Sequence, residues 1–520
     1  MKIPELDLTQ NFPLSEQNWL KSVEPLLKGK SLESELCYTT LEDALLKPIY
    51  TQATSTSQAA PYLASGDWRI AETVAESDPR KFNQTLLQSL QSKESVLLVQ
   101  IAEPHNNHPF HTCQNLKAAL HGMEQSHKSI IVDAGFSAPA LLAMLVASEA
   151  HKKFQGAILM DPLAELTVTG EIATSDFIRT MSEYANWTFE NKVNIKTIGV
   201  DACNYHNAGA DAAQELAFAL ATTVFYLRGI LQHVRQQSPA DIIARMQFSL
   251  GVGARFFIEI AKFRAFRILV DQAASAFDSN GIAQPIAICA KGTQLNKTVC
   301  DSHSNLLRST IEGMAAALGG CDMLHLTSFD SLYRTPDDFS QRIARNIQLI
   351  MAEEAQLGRV QDPGSGSWFI EELTFELAQK AWSLFQKIEA QGGILQALQN
   401  GFIQAEIAKT VEKRRQNVAA GRDHIIGVTR YPVENEKWPA EDSCEKFSGV
   451  QSRRSASGNP LKTEAGKSFE QTMDALIEAA QQDASLDELT HGFSMQGEKI
   501  EILPLPTFRS AESLERNMKQ

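Results

Sequence analysis

The sequence predicts an α/β protein built on an eight-fold (β/α)8 TIM barrel, with an extended arm before it and a helical region after it. Three features carry that expectation. Short, near-continuous apolar runs of four to seven residues alternate with longer helical runs, the pattern of a parallel sheet covered on both faces. Six or more such units fall within about 300 residues, which suits a closed barrel better than an open sheet. The strands also end in polar or small residues, in the strings IAEPH, VDAG, MDP, VDACNYH, CAKGT and LTSFD. Barrels carry their functional groups at those ends, although Asp and Gly there also serve simply as caps and turns.

Residues 1–60 read as an extended arm. Pro4, Pro13, Pro25 and Pro48 and the polar run TQATSTSQAAP interrupt it, leaving a short helical piece from Glu16 to Leu27. Residues 61–395 read as the barrel, with the alternation setting in near Trp68. Ser95 to Ile101 is a buried strand and Thr112 to Met123 a helix; Ser129 to Val132 and Ala138 to His151 repeat the unit. Gly156 to Met160 and Lys196 to Val200 are strands, with a helix over Ser175 to Ala185 between them. Long helices follow over Asp211 to Gln236 and Phe256 to Phe277, and Pro285 to Cys289 and Asp322 to Leu326 complete the strands. Residues 396–520 turn helical and polar. Within them Glu434 to Ala465 reads as a linker rich in Glu, Lys, Ser and Pro, Phe469 to Gln482 as a helix, and EILPLPTFRSAESLE as a tail.

Composition excludes several classes of function. The chain has 520 residues with 43% hydrophobic and 21% charged, enough apolar material for a large core. Its 48 basic and 62 acidic side chains give 48 − 62 = −14, which argues against a nucleic acid as partner, since polyanion binding is driven by clustered Lys and Arg. No run of about 18 apolar residues is present, and the start MKIPELDLTQNF has neither signal-peptide nor transit-peptide character. A soluble, cytoplasmic protein that does not contact the membrane is expected. The seven cysteines are scattered and contain no C-x-x-C pair, as in a reducing compartment and unlike a cysteine zinc site.

Two clusters carry chemical potential. His105, His108 and His111 in HNNHPFH put three imidazoles within seven residues after a strand end. They can hold zinc or iron if they converge, or be solvated loop histidines, since Asn106, Asn107 and Pro109 make the segment a loop. Tyr205 and His206 in DACNYHNAGA follow another strand end; such a pair at a barrel mouth can hydrogen-bond a carbonyl or act as general acid. Phosphate-binding glycine motifs and a nucleophile elbow are missing, and Gly364 and Gly366 in DPGSGSW read as a turn.

YHNAGA with QELAFALA, then FFIEIAKFRAFR, then RTPDDFSQRIARNIQLIMAEEAQLGRVQDPGSGSWFIEELTFELAQKAW resemble the adenosylcobalamin-dependent acyl-CoA mutases, methylmalonyl-CoA mutase above all. The resemblance covers roughly Trp68 to Tyr431 and is most specific from Arg334 to Trp382. It implies a barrel through whose axis an acyl-CoA threads, with cobalamin on the C-terminal face, held by a flavodoxin-like domain. Departures from the family pattern are concentrated in the chemistry. Thr73 stands where the family has a substrate-contacting tyrosine, and IAICAKGTQLNK around Cys289 replaces a channel segment. No arginine between Thr167 and Arg179 corresponds to the one that binds the substrate carboxylate, a loss of several kcal/mol in a dry channel. The D-x-H-x-x-G cobalt-ligand motif has no match: Asp301-Ser302-His303 runs into Leu306. The flavodoxin-like domain is expected to be absent, the chain ending at Gln520.

The resemblance therefore implies a small (β) subunit of methylmalonyl-CoA mutase, in a heterodimer with a catalytic large (α) subunit that binds adenosylcobalamin and the acyl-CoA. Tyr205 and His206 match the family's catalytic pair and are vestigial on this reading. The arm matches the segment that wraps the partner. A catalytic barrel of the isobutyryl-CoA type, with its cobalamin domain on a separate chain, is the alternative. A metal-dependent hydrolase or lyase using the three histidines is a third class.

Overall fold

The computed structural model describes residues 16–51, 66–89, 95–101, 108–123, 129–278, 286–433, 468–492 and 497–519, apart from single positions 75, 153, 173 and 235. Eight parallel strands close into a barrel: β1 (Arg69–Thr73), β2 (Ser95–Gln100), β3 (Ser129–Asp133), β4 (Gly156–Met160), β5 (Lys196–Asp201), β6 (Met246–Val252), β7 (Ala287–Gly292) and β8 (Met323–His325). They neighbour one another in chain order, and β8 returns to β1 with Met323 opposite Arg69. One irregularity lies between β4 and β5, where the register shifts between Ala157 and Met160.

Helices follow the strands: α1 (Pro79–Ser89), α2 (Cys113–Ala119), α3 (Ala138–Ala147), α4 (Phe177–Glu190), α5 (Ala212–His233), α6 (Phe256–Phe277), α7 (Ser304–Leu318) and α8 (Asp338–Leu349). A further helix, α9 (Trp368–Ala390), packs across α5 and α6. That second cover explains why α5 and α6 are apolar almost all round. A capping box between Asp211 and Gln214 starts α5, where the DAAQ string ends the turn after β5.

Two strands depart from the expected pattern of near-continuous apolar runs. β1 reads Arg-Ile-Ala-Glu-Thr, and β6 alternates apolar Met246, Phe248 and Leu250 with Gln247, Ser249 and Gly251. Phe248 packs on Phe266 of α6, with ring centroids 5.2 Å apart, while Gln247 bonds the Ala287 carbonyl of β7. Polar residues inside a barrel turn a buried parallel strand into an alternating one, so the search for continuous runs passes over it.

The arm is short helices at Glu16–Val23 and Leu32–Leu36, with a 3-10 turn at Glu24–Leu27, and then a hairpin pairing Tyr38–Thr39 with Leu45–Leu46. Its tip is tied to the barrel. Thr40, Leu41, Glu42 and Ala44 are buried, and Lys413 of α10 (Phe402–Ala419) pairs with Asp43. Residues 1–15 and the TQATSTSQAAP run from 52 on lie outside the described residues, as does the expected linker at 434–465. Helix α11 (Phe469–Gln481) docks on α3, and Ile500–Glu501 pairs with Glu171–Ile172. The described parts of the C-terminal region thus lie on the barrel wall. Among the described residues the cysteines are free thiols, and no helix is long and apolar enough to cross a membrane.

Candidate functional site at the barrel mouth

The strand ends meet at one rim. Asp161, after β4, accepts from Ala164 N, Asp201 N and the Tyr226 hydroxyl; burial raises its carboxyl to about 7. It is a cap for the helix Pro162–Thr169. Across the lumen, Lys291 of β7 pairs with Asp201 of β5 at 2.7 Å. Burial works against the Lys291 charge, but the Asp201 carboxylate outweighs it and raises the ammonium. Thr73 Oγ1 lies 3.0 Å from His325 Nε2. Burial, then Lys291, pushes that imidazole down to about 4, so it is neutral at pH 7.

Tyr205 and His206 lie on the short helix Cys203–Asn207 that follows β5. Adjacent residues on a helix project about 100° apart, and the pair is split accordingly. Tyr205 enters the layer between barrel and helices, its ring 5.0 Å from that of Phe218. Burial raises its phenol, with Thr222 as its polar neighbour. A shared hydrogen-bonding role at the mouth does not follow from this placement. His206 faces β6: a Cβ on Gly251 would lie 2.6 Å from its Cγ, so only glycine fits beneath the ring.

Beneath His206 sits a buried charge network. Glu215 Oε2 is 3.1 Å from His206 Nδ1 and 2.8 Å from Lys262 Nζ, while Glu215 Oε1 accepts from Gly251 N at 2.6 Å. Lys262 also reaches the Gly251 carbonyl at 2.7 Å and Glu259 at 2.6 Å. Burial alone would raise the Glu215 carboxyl; Lys262, and then His206, outweigh it and hold it below its usual value. The carboxylate thus fixes the imidazole orientation, and His206 Nε2, buried, has no partner among the described residues. Motif reading passed over Glu215 and Lys262; their signal was a charge inside the apolar helices QELAFALA and FFIEIAKFRAFR.

The histidine cluster is not assembled into a metal site among the described residues. His105 lies outside them. His108 is buried and accepts from Phe110 N through Nδ1 at 3.2 Å, with the His111 ring centroid 6.2 Å away. His108 is not the solvated loop residue of the alternative reading. Arg179 of α4 donates to Asp176, the residue just before that helix, and His303 stacks on Phe329 at 5.4 Å.

A model of the methylmalonyl-CoA mutase family matches residues 109–498. The chain belongs to that family. It is 32% identical over 460 residues to the methylmalonyl-CoA mutase small subunit of Streptomyces virginiae, covering 83% of this chain and 73% of that one. Identity to the small subunit of Porphyromonas gingivalis is 30% over 441 residues, covering 81% and 70%. The large subunit of Streptomyces virginiae is 29% identical over 486 residues, covering 84% and 65%. The family catalyses an isomerisation that uses cobalamin. Among the described residues, the string nearest the family's cobalt-ligand motif does not present a ligand: His303 is stacked on Phe329, and Leu306 stands where that motif has glycine.

Proposed function

We propose that the chain is the non-catalytic small subunit of a methylmalonyl-CoA mutase. On this reading it supports a large subunit that holds adenosylcobalamin and interconverts methylmalonyl-CoA and succinyl-CoA in the cytoplasm. The observation that carries it is the lumen. A thioester threading the axis needs an open bore, whereas Ala71, Val96, Ile131, Leu159, Cys289 and Met323 pack together inside this barrel, each no more than 8% exposed. The Asp201–Lys291 pair crosses above them. This is the filled interior of an ordinary (β/α)8 barrel. Thr73 and Cys289, at the two rewritten positions, both serve it: one bonds His325, the other is packed.

The polar layer beside His206 favours the second reading, a catalytic barrel served by a separate cobalamin chain, because its Nε2 is unpaired. The two separate in one experiment. The purified chain is incubated with adenosylcobalamin, gel-filtered and scanned, then assayed with methylmalonyl-CoA with and without the large subunit. The small-subunit reading expects no retained corrinoid absorbance and turnover only when the large subunit is present. Corrinoid retained by the isolated chain, or turnover with a cobalamin domain alone, would overturn it.

A further inference from the structure

The tail read from the sequence as EILPLPTFRSAESLE runs over the rim of the barrel. Beyond the Ile500–Glu501 pairing with Glu171–Ile172, the string ILPLPTFR is extended and belongs to no strand, as befits a run in which Pro504 and Pro506 have no N–H to donate. Its remaining amides reach one loop after another. Ile502 N donates to the Gly170 carbonyl and Leu505 N to the Thr167 carbonyl, both at 2.8 Å and both after β4. Phe508 N donates to the Asn207 carbonyl at 2.7 Å, after β5, and Ser510 N to the Leu295 carbonyl at 2.9 Å, after β7. The bed fits closely: a Cβ on Gly170 would lie 3.0 Å from Pro504 Cδ, and one on Gly209 would lie 3.0 Å from Phe508 Cδ1.

The far end is fastened by one side chain. Glu515, on the short helix Glu512–Lys519, is buried, and its Oε1 accepts from Val299 N at 2.7 Å and Cys300 N at 3.2 Å. Its other oxygen pairs with Arg509, which also donates to the Lys297 carbonyl at 3.4 Å. Ala511 and the half-buried Leu514 pack with Cys300 and Val428, which leaves the Cys300 thiol buried beneath the segment.

We propose that Ile502–Glu515 is a strap, latched by Glu515, that opens as one unit while the barrel stays folded and so gates this side of the rim. The cover is thin: from Ile502 to Glu515 only Leu505, Ala511 and Glu515 are buried, and Leu503 is largely exposed. A segment with so few buried apolar side chains lies at the low end of local stability. Closure depends on the latch, because losing Glu515 leaves two backbone N–H groups of the β7 loop without their acceptor. Ser510 and Ala511 also line a cavity of about 340 Å³ between the loops after β5, β6 and β7, so release opens that cavity to solvent. The device is independent of which subunit this chain represents.

The test is timed alkylation of the full native chain with N-ethylmaleimide, each cysteine being followed by peptide mass spectrometry. Cys300 should react at least about tenfold faster than Cys289 of β7 and Cys321, just before β8, although all three are buried. Its rate should also climb less steeply with urea, since opening the strap exposes less surface than unfolding the barrel. Glu515→Ala should speed Cys300 by at least about tenfold and leave Cys289 and Cys321 unchanged. In the same variant, hydrogen exchange at the Leu505 and Phe508 amides, which Glu515 does not touch, should quicken with it. Reaction of Cys300 only in step with Cys289 and Cys321 across the urea series would overturn the proposal. So would an unchanged Cys300 rate in Glu515→Ala, or unchanged exchange at Leu505 and Phe508, which would mean that Glu515 holds the β7 loop alone. If Glu515→Ala does not fold, the urea series of the parent chain decides.

Discussion

Arg264 Nη2 lies 2.8 Å from Glu371 Oε1 and 3.1 Å from Asp362 Oδ2, joining the middle of α6 to both sides of the turn that starts α9. Arg264 is fully buried, and Glu371 Oε1 also accepts from Gly366 N at 3.2 Å. The DPGSGSW string is therefore a turn clamped from below, which accounts for its carboxylate and glycines together.

Replacing Arg264 by Leu should cost about 3–5 kcal/mol, because one buried cation is removed and two carboxylates are left without it. Urea denaturation of the full chain should show a lower midpoint with little change in slope. A midpoint near that of the parent protein would mean that water or another cation replaces the guanidinium.

His206→Ala should leave turnover of the assembled mutase within about twofold. A general acid contributes its usual 10²–10⁴-fold only with the rest of its site in place, and here Tyr205 is turned away and the lumen is filled. A loss of a hundredfold, with the large subunit intact, would favour the catalytic reading.

Acid should destabilise the fold through His108. Burial, then His111, pushes this imidazole down to about 4 from 6.5, so the unfolded chain takes up the proton first. Its contribution is full above pH 6.5 and falls as the pH drops toward 4. Between pH 7 and 4.5 the loss from this residue is about 2 kcal/mol. His108→Gln should therefore show a smaller decline of the urea midpoint over that interval, and an unchanged decline would count against the burial argument.

Two truncations should separate the roles of the arm. Removing residues 1–36 takes away Leu26, 76% exposed, and leaves the buried hairpin tip with Leu41 and Ala44. Affinity for the large subunit should fall while the melting temperature of the isolated chain stays the same. Removing residues 1–46 should lower both, since Leu41 and the Asp43–Lys413 pair go with it. Unchanged affinity in the first truncation would show that the arm serves this chain alone.

Local pattern was enough for the barrel and for most of its parts. Helix α6 runs from Phe256 to Phe277 as periodicity places it, and α5 begins at the Asp211 cap. Both follow from short-range physics, apolar spacing and capping, which the chain carries in itself. β1 and β6 were not legible, because a lumen-facing Gln, Ser or Thr, or a Glu72 paired with Arg345 of α8, has no local signature that distinguishes it from a solvent-facing residue. The direction of Tyr205 and His206 was likewise a tertiary matter: their adjacency in sequence suggests a pair, but the helical turn after β5 sends one ring to Phe218 and the other to Gly251. The Glu215–Lys262 network and the filled lumen depend on side chains dozens to hundreds of residues apart, and only closure of the barrel brings them into contact. Sequence alone determined the family and the alternating architecture; which polar groups are paired or buried was decided by packing across the barrel.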